Sequence, residues 1–360
     1  MKKISLFKSY ISLRSVWNVC TLLLKSNYGA YIGEGPEVKS FEQEFGEKFG
    51  FKNVAALNSG TSALELAYEL AGIGAGDEVV TPVLTAPATN LPLLHRGATV
   101  IFADVGDDLN VNVEDVRRKI TPKTKALVFV HFAGNNRGLK DMIELAQEKN
   151  LPLIEDAAQA VGSDYWGKGD FVCVSLQAIK TLTSGDGGFL ICKDDALHEK
   201  AKRLRWFGYD RALQQKTGDS DIAEAGYKYH MSDITAAIGR GNLVSLDTRI
   251  AHRKKLMAEY RKHGVQASIW FATTFSNKRD ELRTFLEEHG VASGIHHFRN
   301  DRYSIFGGRR TLPVMDALEN QYVLLPLHHG VSVRDVRYIC GLLRDFGALP
   351  AYANIEKKFK

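Results

Sequence analysis

The chain has 360 residues, 44% hydrophobic and 25% charged, a globular composition that excludes a collagen-like, low-complexity or largely disordered protein and leaves room for about two domains. Its 47 basic and 42 acidic side chains leave a net charge of +5, too mild to call for nucleic acid and equally suited to an anionic substrate. Cys20, Cys173, Cys192 and Cys340 are scattered with no CxxC pair, which speaks against a disulfide framework or zinc ribbon and for a reducing cytoplasm.

Residues 1–28 begin basic and carry apolar residues, but Arg14 and Asn18 interrupt the run and no clean cleavage site follows. The segment therefore reads as an amphipathic helix over 11–25, not a secretion signal. Ile11, Val16, Val19, Leu22 and Leu23 lie near one face, which rests on the domain or at a subunit contact. No stretch reaches the ~20 apolar residues of a membrane helix. A helix is expected over 37–49, with Pro36 in its first turn, then a strand over 54–57. Asn58-Ser59-Gly60-Thr61 opens a helix that carries Ala63, Leu64, Ala67, Leu70 and Ala71 on one side. Next come strand 78–81, helix 87–96, strand 99–103, helix 113–119, strand 125–130, helix 139–149 and strand 152–155. This alternation predicts an α/β fold, a mainly parallel sheet with helices on both faces. Strands 171–176 and 188–192 follow, then a long helical stretch over 231–262, strand 269–274, helix 278–289, strand 322–325 and helix 332–345. We divide the chain into a large domain, 1–240, with an N-terminal helical arm, and a smaller α+β domain, 241–360.

Ser59-Gly60-Thr61-Ser62 stands at a strand-to-helix junction, where unpaired N–H groups suit a phosphate. An ordinary N-cap would look the same. GEGPEV at 33–38 lacks the preceding strand of a dinucleotide fingerprint, and no Walker-type P-loop occurs. Glu155 and Asp156 end an apolar strand, where open α/β sheets bind ligands. Strand alternation separates them, and Glu155 is the better fit to a solvated strand-end acid. Lys180 follows another apolar strand, in SLQAIKTLTSGDGG, among small residues that admit a ligand closely. A lysine amine, a carboxylate and a phosphate-binding turn, in this order, are what pyridoxal phosphate needs for covalent attachment, for its ring nitrogen and for its phosphate. His131 ends a buried strand and either lines the pocket or is a satisfied core histidine. His296, His297, Arg299, Asn300 and Arg302 form a polar stretch, and His328-His329 follow LPL. A nucleotide diphosphate suits Arg299 and Arg302, as does a solvated loop. No metal-ligand spacing is present.

LNSGTSALELA, GIGAGDEVVTP, EDAAQA, SLQAIKTLTSGDGG and GYKYHMSDITAAIG together resemble the DegT/StrS-type sugar aminotransferases, within the fold-type I pyridoxal phosphate enzymes. The resemblance runs from Gly33 to His252 and more weakly to about residue 345. It implies that Lys180 holds the cofactor and shuttles protons, that Asp156 pairs with the pyridinium nitrogen, and that Gln159 bonds the phenolic oxygen. Gly60, Thr61 and Ser175 would cup the phosphate. Relatives that dehydrate sugars replace the lysine with histidine, so the chain keeps the transaminating form. A homodimer with active sites at the subunit interface is implied, acting on a nucleotide-linked keto-sugar with glutamate as donor. Arg299, Arg302 and His329 would then lie near the substrate. Ala86 stands where many relatives carry an aromatic that stacks on the cofactor. Lys228 replaces the asparagine that reaches the partner's cofactor phosphate; a lysine could do the same, or lie on the surface. The segments 165–170 and 263–270 are short. The KTLTSGDGG run is similar to relatives acting on 4-keto sugars, which favours a 4-keto-6-deoxyhexose. The alternatives are amination at C3 and a non-catalytic or regulatory cofactor-binding member.

Overall fold

The computed structural model of the protein describes residues 3–29 and 32–348; residues 349–360 of the expected C-terminal domain lie outside the described residues. Helices α1 (Leu13–Ser26) and α2 (Pro36–Phe49) lead into β1 (Val54–Leu57) and α3 (Gly60–Leu70). The alternation continues through β2 (Glu78–Pro82), α4 (Pro87–His95), β3 (Thr99–Ala103), α5 (Val113–Lys119), β4 (Thr124–Val130), α6 (Leu139–Lys149), β5 (Leu153–Asp156), β6 (Phe171–Ser175) and β7 (Gly188–Cys192). Helices α7 (Asp195–Leu204), α8 (Arg211–Thr217), α9 (Asp233–Val244) and α10 (Leu246–Lys262) follow. The chain then forms β8 (Gln266–Ala267), β9 (Ala272–Phe275), α11 (Arg279–Glu288), α12 (Pro313–Leu318), β10 (Tyr322–Leu325) and α13 (Val333–Asp345).

Seven strands form one sheet in the order β1-β7-β6-β5-β4-β2-β3. Neighbours from β3 to β6 pair in parallel, and β7 runs antiparallel to both β1 and β6. Strand alternation sends Ala126 and Val128 into the core on one face, with Leu64 and Ala67 of α3. Leu127 and Phe129 go to the other, with Leu139, Met142 and Leu145 of α6. Parallel strands covered on both faces explain the unbroken apolar runs. The register sets Asp156 beside Val130 and Cys173 at the carboxyl edge. Gly188 lies between Leu57 and Ser175. A Cβ on Gly188 would fall 2.4 Å from the Ser59 carbonyl oxygen, so its bare backbone lets the β1–α3 turn close over the end of β6.

The second sheet, β10-β9-β8, is antiparallel. Leu256 and Tyr260 of α10, Leu282 and Leu286 of α11, and Val336 and Ile339 of α13 share a core with its Val323 and Leu325. Ile4 joins this core and bridges to Val291. The start of the arm therefore crosses the boundary that the sequence suggested. The expected helix over 231–262 is two helices, because Ser245 leaves helical dihedrals (φ −101°, ψ 11°). The apolar side expected of the first helix is only partly used: Leu22 is buried, whereas Ile11 and Val16 are 49% and 51% exposed. Serines dock α1 instead, the Ser12 and Ser15 hydroxyls donating to the Gly241 and Ile238 carbonyls at 2.9 and 2.8 Å. No helix among the described residues is long and apolar enough to cross a membrane.

Candidate active site

The carboxyl ends of β5 and β6, the start of α3 and the loop after β6 meet at one edge of the large sheet. Lys180 sits on that loop, which ties itself in place. The Leu176 N–H donates to Gly187 O at 2.8 Å, and the Leu176 carbonyl accepts from the Ser184 N–H at 3.0 Å and the Thr183 hydroxyl at 2.9 Å. The Lys180 Nζ lies 4.1 Å from the centre of the Trp270 ring, and the Trp270 Nε1–H donates to Ile179 O at 3.4 Å. Burial pulls the Lys180 ammonium down to about 8, with the Asp156 carboxylate opposing. The His296 ring stands edge-on to Trp270 at 5.1 Å, and burial with the Lys180 charge lowers its pKa to about 4. The amine thus has neutral aromatic neighbours. Half of it is expected to be nucleophilic at pH ~8, so covalent capture of pyridoxal phosphate by the apo-protein should rise with pH and level off above that value. Stopped-flow capture rates across pH check this; a midpoint near the ordinary lysine value would contradict it.

Asp156 is 5% exposed. Its Oδ1 accepts from the Ala158 N–H at 3.1 Å and its Oδ2 from the Thr89 hydroxyl at 2.7 Å. Thr89 also lies 2.7 Å from the Thr85 hydroxyl. An ionised carboxylate only accepts, so Thr89 donates to Asp156 and Thr85 donates to Thr89. This buried relay aims the carboxylate. Thr89→Val keeps the shape of the side chain and removes the donor. It is expected to lower kcat about tenfold or more while the melting temperature stays within a few degrees.

Gln159 accepts the Ala133 N–H on Oε1 at 2.7 Å, which orients its amide, and Nε2 donates to His297 Nε2 at 2.9 Å. Burial holds His297 well below the usual histidine range, so its ring stays a neutral acceptor. Gly60 opens α3 behind the Ser59 cap, whose hydroxyl accepts from the Ser62 N–H at 3.0 Å. A Cβ on Gly60 would lie 2.8 Å from the Ser175 Cβ. Gly60, the exposed Thr61 and the half-buried Ser175 thus surround the first turn of a helix, where free N–H groups point outward.

Glu155 departs from expectation. It is fully buried, because alternation turns it to the face where residues 167–169 fold back over the sheet. It accepts the N–H groups of Gly167, Lys168 and Gly169 at 2.9, 2.5 and 2.5 Å, and it bonds His131 Nε2 at 2.9 Å. Burial raises its pKa, but these bonds outweigh burial and hold it below the usual carboxylate range. His131 is accordingly a paired core histidine.

Arg299 is also corrected. It is 2% exposed, and its guanidinium is taken up by Asp301 at 2.6 and 2.7 Å, by Asp316 and by the Arg310 carbonyl at 2.8 Å. No free fork remains for a diphosphate. Arg302 is exposed, its guanidinium 4.4 Å from the Phe298 ring centre. His329 is half-buried, edge-on to Tyr10 at 5.1 Å. The Lys228 side chain is exposed, and its carbonyl accepts from Asn58 Nδ2 at 3.3 Å, beside its own chain's β1–α3 turn. Thr89 and Trp270 are not among the expected site residues, and His297 was expected only as part of a polar stretch, not as the partner of Gln159. A second threonine four positions after Thr85 was the only trace of the relay in the sequence.

A family profile described as the DegT/DnrJ/EryC1/StrS aminotransferase family matches residues 19–344. The chain belongs to this family. Among solved structures it is similar to AtS13 from Actinomadura melliaura, with 31% identity, 96% of this chain and 99% of that chain covered, and a TM-score of 0.89. It is also similar to the sugar aminotransferase CalS13 from Micromonospora echinospora, at 30% identity over 95% and 99% of the two chains, with a TM-score of 0.89. PseC from Helicobacter pylori, an aminotransferase involved in pseudoaminic acid biosynthesis, shares the fold at 21% identity and a TM-score of 0.88, with 97% and 100% covered. The protein is therefore a fold-type I, pyridoxal phosphate-dependent sugar aminotransferase. The residues present fit that cofactor: a lysine with a lowered pKa, a buried carboxylate aimed by a hydroxyl, and a helix start closed against a serine.

Proposed function

We propose that the chain transfers an amino group from glutamate to a nucleotide-linked keto-sugar, with a 4-keto-6-deoxyhexose favoured, in amino-sugar and polysaccharide biosynthesis in the cytoplasm. The observation that carries the reading is the meeting of Lys180, Asp156 and the Gly60–Ser175 cradle at one edge of the sheet. In this reading Lys180 would bind the cofactor through Nζ, and Asp156 would hold its ring nitrogen protonated. Gln159 bonds its phenolic oxygen, and Gly60, Thr61 and Ser175 hold its phosphate. The bound cofactor supplies an electron sink. The Lys180 Nζ would take the proton from the donor carbon and later deliver one to the sugar carbon. The net exchange balances: glutamate becomes 2-oxoglutarate as the sugar C=O becomes CH–NH2, and the water taken up in one half is released in the other.

The preference for C4 rests on the KTLTSGDGG run. Its effect comes through the loop's shape, since Thr183 donates to Leu176 O and the buried Thr181 hydroxyl has no partner among the described residues. A homodimer is supported by the apolar side that α1 leaves outside, with Leu13, Trp17 and Leu24 at 89%, 66% and 64% exposure. Exposed Lys228 would then reach the partner's cofactor phosphate. The test supplies 4-keto and 3-keto nucleotide sugars with glutamate and locates nitrogen in the product by NMR. An amine only at C3 refutes the sugar assignment, and no product with any of them refutes the substrate class.

A further inference from the structure

Four arginines among the described residues lie nearly buried, and they fall into two kinds. Arg205 bonds Glu34 and Glu42 at 2.7 and 2.5 Å, and Arg299 bonds Asp301 and Asp316. Arg249 and Arg253 are 7% and 5% exposed, and no carboxylate among the described residues pairs with either. Arg253 reaches only carbonyls, those of Leu327, Ile269 and Trp270 at 2.6, 3.2 and 3.4 Å. Arg249 donates to Ser245 Oγ at 2.7 Å and Asn242 O at 2.9 Å. Its guanidinium lies 4.1 Å from the Tyr10 ring centre, and its buried Nε has no partner. His328, His329 and Lys8 stand in the same electrostatic neighbourhood. Burying positive charges close together without a counter-ion is costly, which makes the arrangement a candidate site for an anion.

The position is next to the chemistry. Trp270, whose carbonyl meets Arg253, lies against the Lys180 amine. Asn242, whose carbonyl meets Arg249, donates from Nδ2 to Tyr10 O at 3.1 Å and to Thr183 O at 2.8 Å, on the loop that carries Lys180. We propose that Arg249 and Arg253, with Tyr10 and His329, form an oxyanion subsite beside Lys180. An amino donor brings a carboxylate there and a nucleotide-linked sugar brings a phosphate; a guanidinium fork suits both.

The proposal rests on the amino-transfer reading, and the experiment separates the two. Calorimetric titration of the purified holoenzyme uses glutarate, which has both donor carboxylates and no amine, and inorganic pyrophosphate. Arg249→Met is expected to weaken at least one probe about tenfold or more. Loss for glutarate assigns the subsite to the donor and should come with a raised KM for glutamate. Loss for pyrophosphate alone assigns it to the nucleotide. If the variant does not fold, Arg249→Lys, which keeps the charge and removes the fork, takes its place with the same expected loss. Unchanged affinity for both probes in a folded variant, while glutamate still changes the cofactor absorbance, overturns the subsite and leaves the reading intact. Failure of glutamate to change that absorbance in the wild type overturns the reading itself.

Discussion

Lys180→Ala is expected to abolish amino transfer, by more than about 10⁴-fold in kcat, while the protein stays folded. The side chain lies in the site with a pKa lowered to about 8, so at neutral pH it is a poorly solvated ammonium facing the Trp270 ring. In the proposed function its removal would take away the covalent hold on the cofactor and the base at the donor carbon. It leaves Asp156, Gln159 and the Gly60–Ser175 cradle in place, so the variant should still bind pyridoxal phosphate, weakly and without the visible absorbance of the lysine-bound form. Loss of a half-buried, unpaired charge does not penalise the fold. Thermal melting of the apo-protein should therefore be unchanged or slightly higher. Near-normal turnover by this variant would remove Lys180 from the chemistry.

Asp156→Ala is the second large effect, with an expected loss of about 10³-fold or more in kcat. The ring nitrogen of the cofactor stays protonated only beside an anion. Asp156 is the carboxylate that acts on Lys180 across the site. Unlike Lys180→Ala, this variant should still trap the cofactor covalently, so binding and turnover come apart. It should also cost about 1–3 kcal/mol of stability, because Thr89 loses its acceptor in a buried position. Denaturant melts and single-turnover absorbance measure the two effects separately. Turnover within tenfold of wild type would mean that another group holds the ring nitrogen.

Much of the fold was legible because parallel, doubly covered strands announce themselves. The strands 54–57, 99–103, 188–192 and 322–325 and the helices 113–119 and 139–149 have the bounds expected from their apolar runs and caps. Two helices after β7 were missed for a physical reason. In α8 no residue is buried, so it shows no apolar stripe; in α7 the stripe is short, only Leu197, Ala201 and Leu204 among charged neighbours. The break at Ser245 was hidden because both flanking segments have helical patterns of their own. In the site, Lys180, Asp156, Gln159 and the Gly60 turn stood out as short segments at strand ends. Their neighbours did not. Thr89 meets Asp156 across 67 residues and His297 meets Gln159 across 138, distances over which local pattern carries no information. Arg299 misled although its bidentate partner Asp301 stands two residues on, because its other carboxylate, Asp316, lies on α12, which the sequence did not reveal. Glu155 misled because the backbone that buries it belongs to a loop, not to a patterned element.

The most direct test of the account is reduction of the holoenzyme with borohydride, followed by peptide mass spectrometry. A phosphopyridoxyl mass is expected on the peptide that contains Lys180, and its loss when glutamate is added before reduction. A label on Lys228 or any other lysine, or a Lys180 label that glutamate leaves in place, would contradict it.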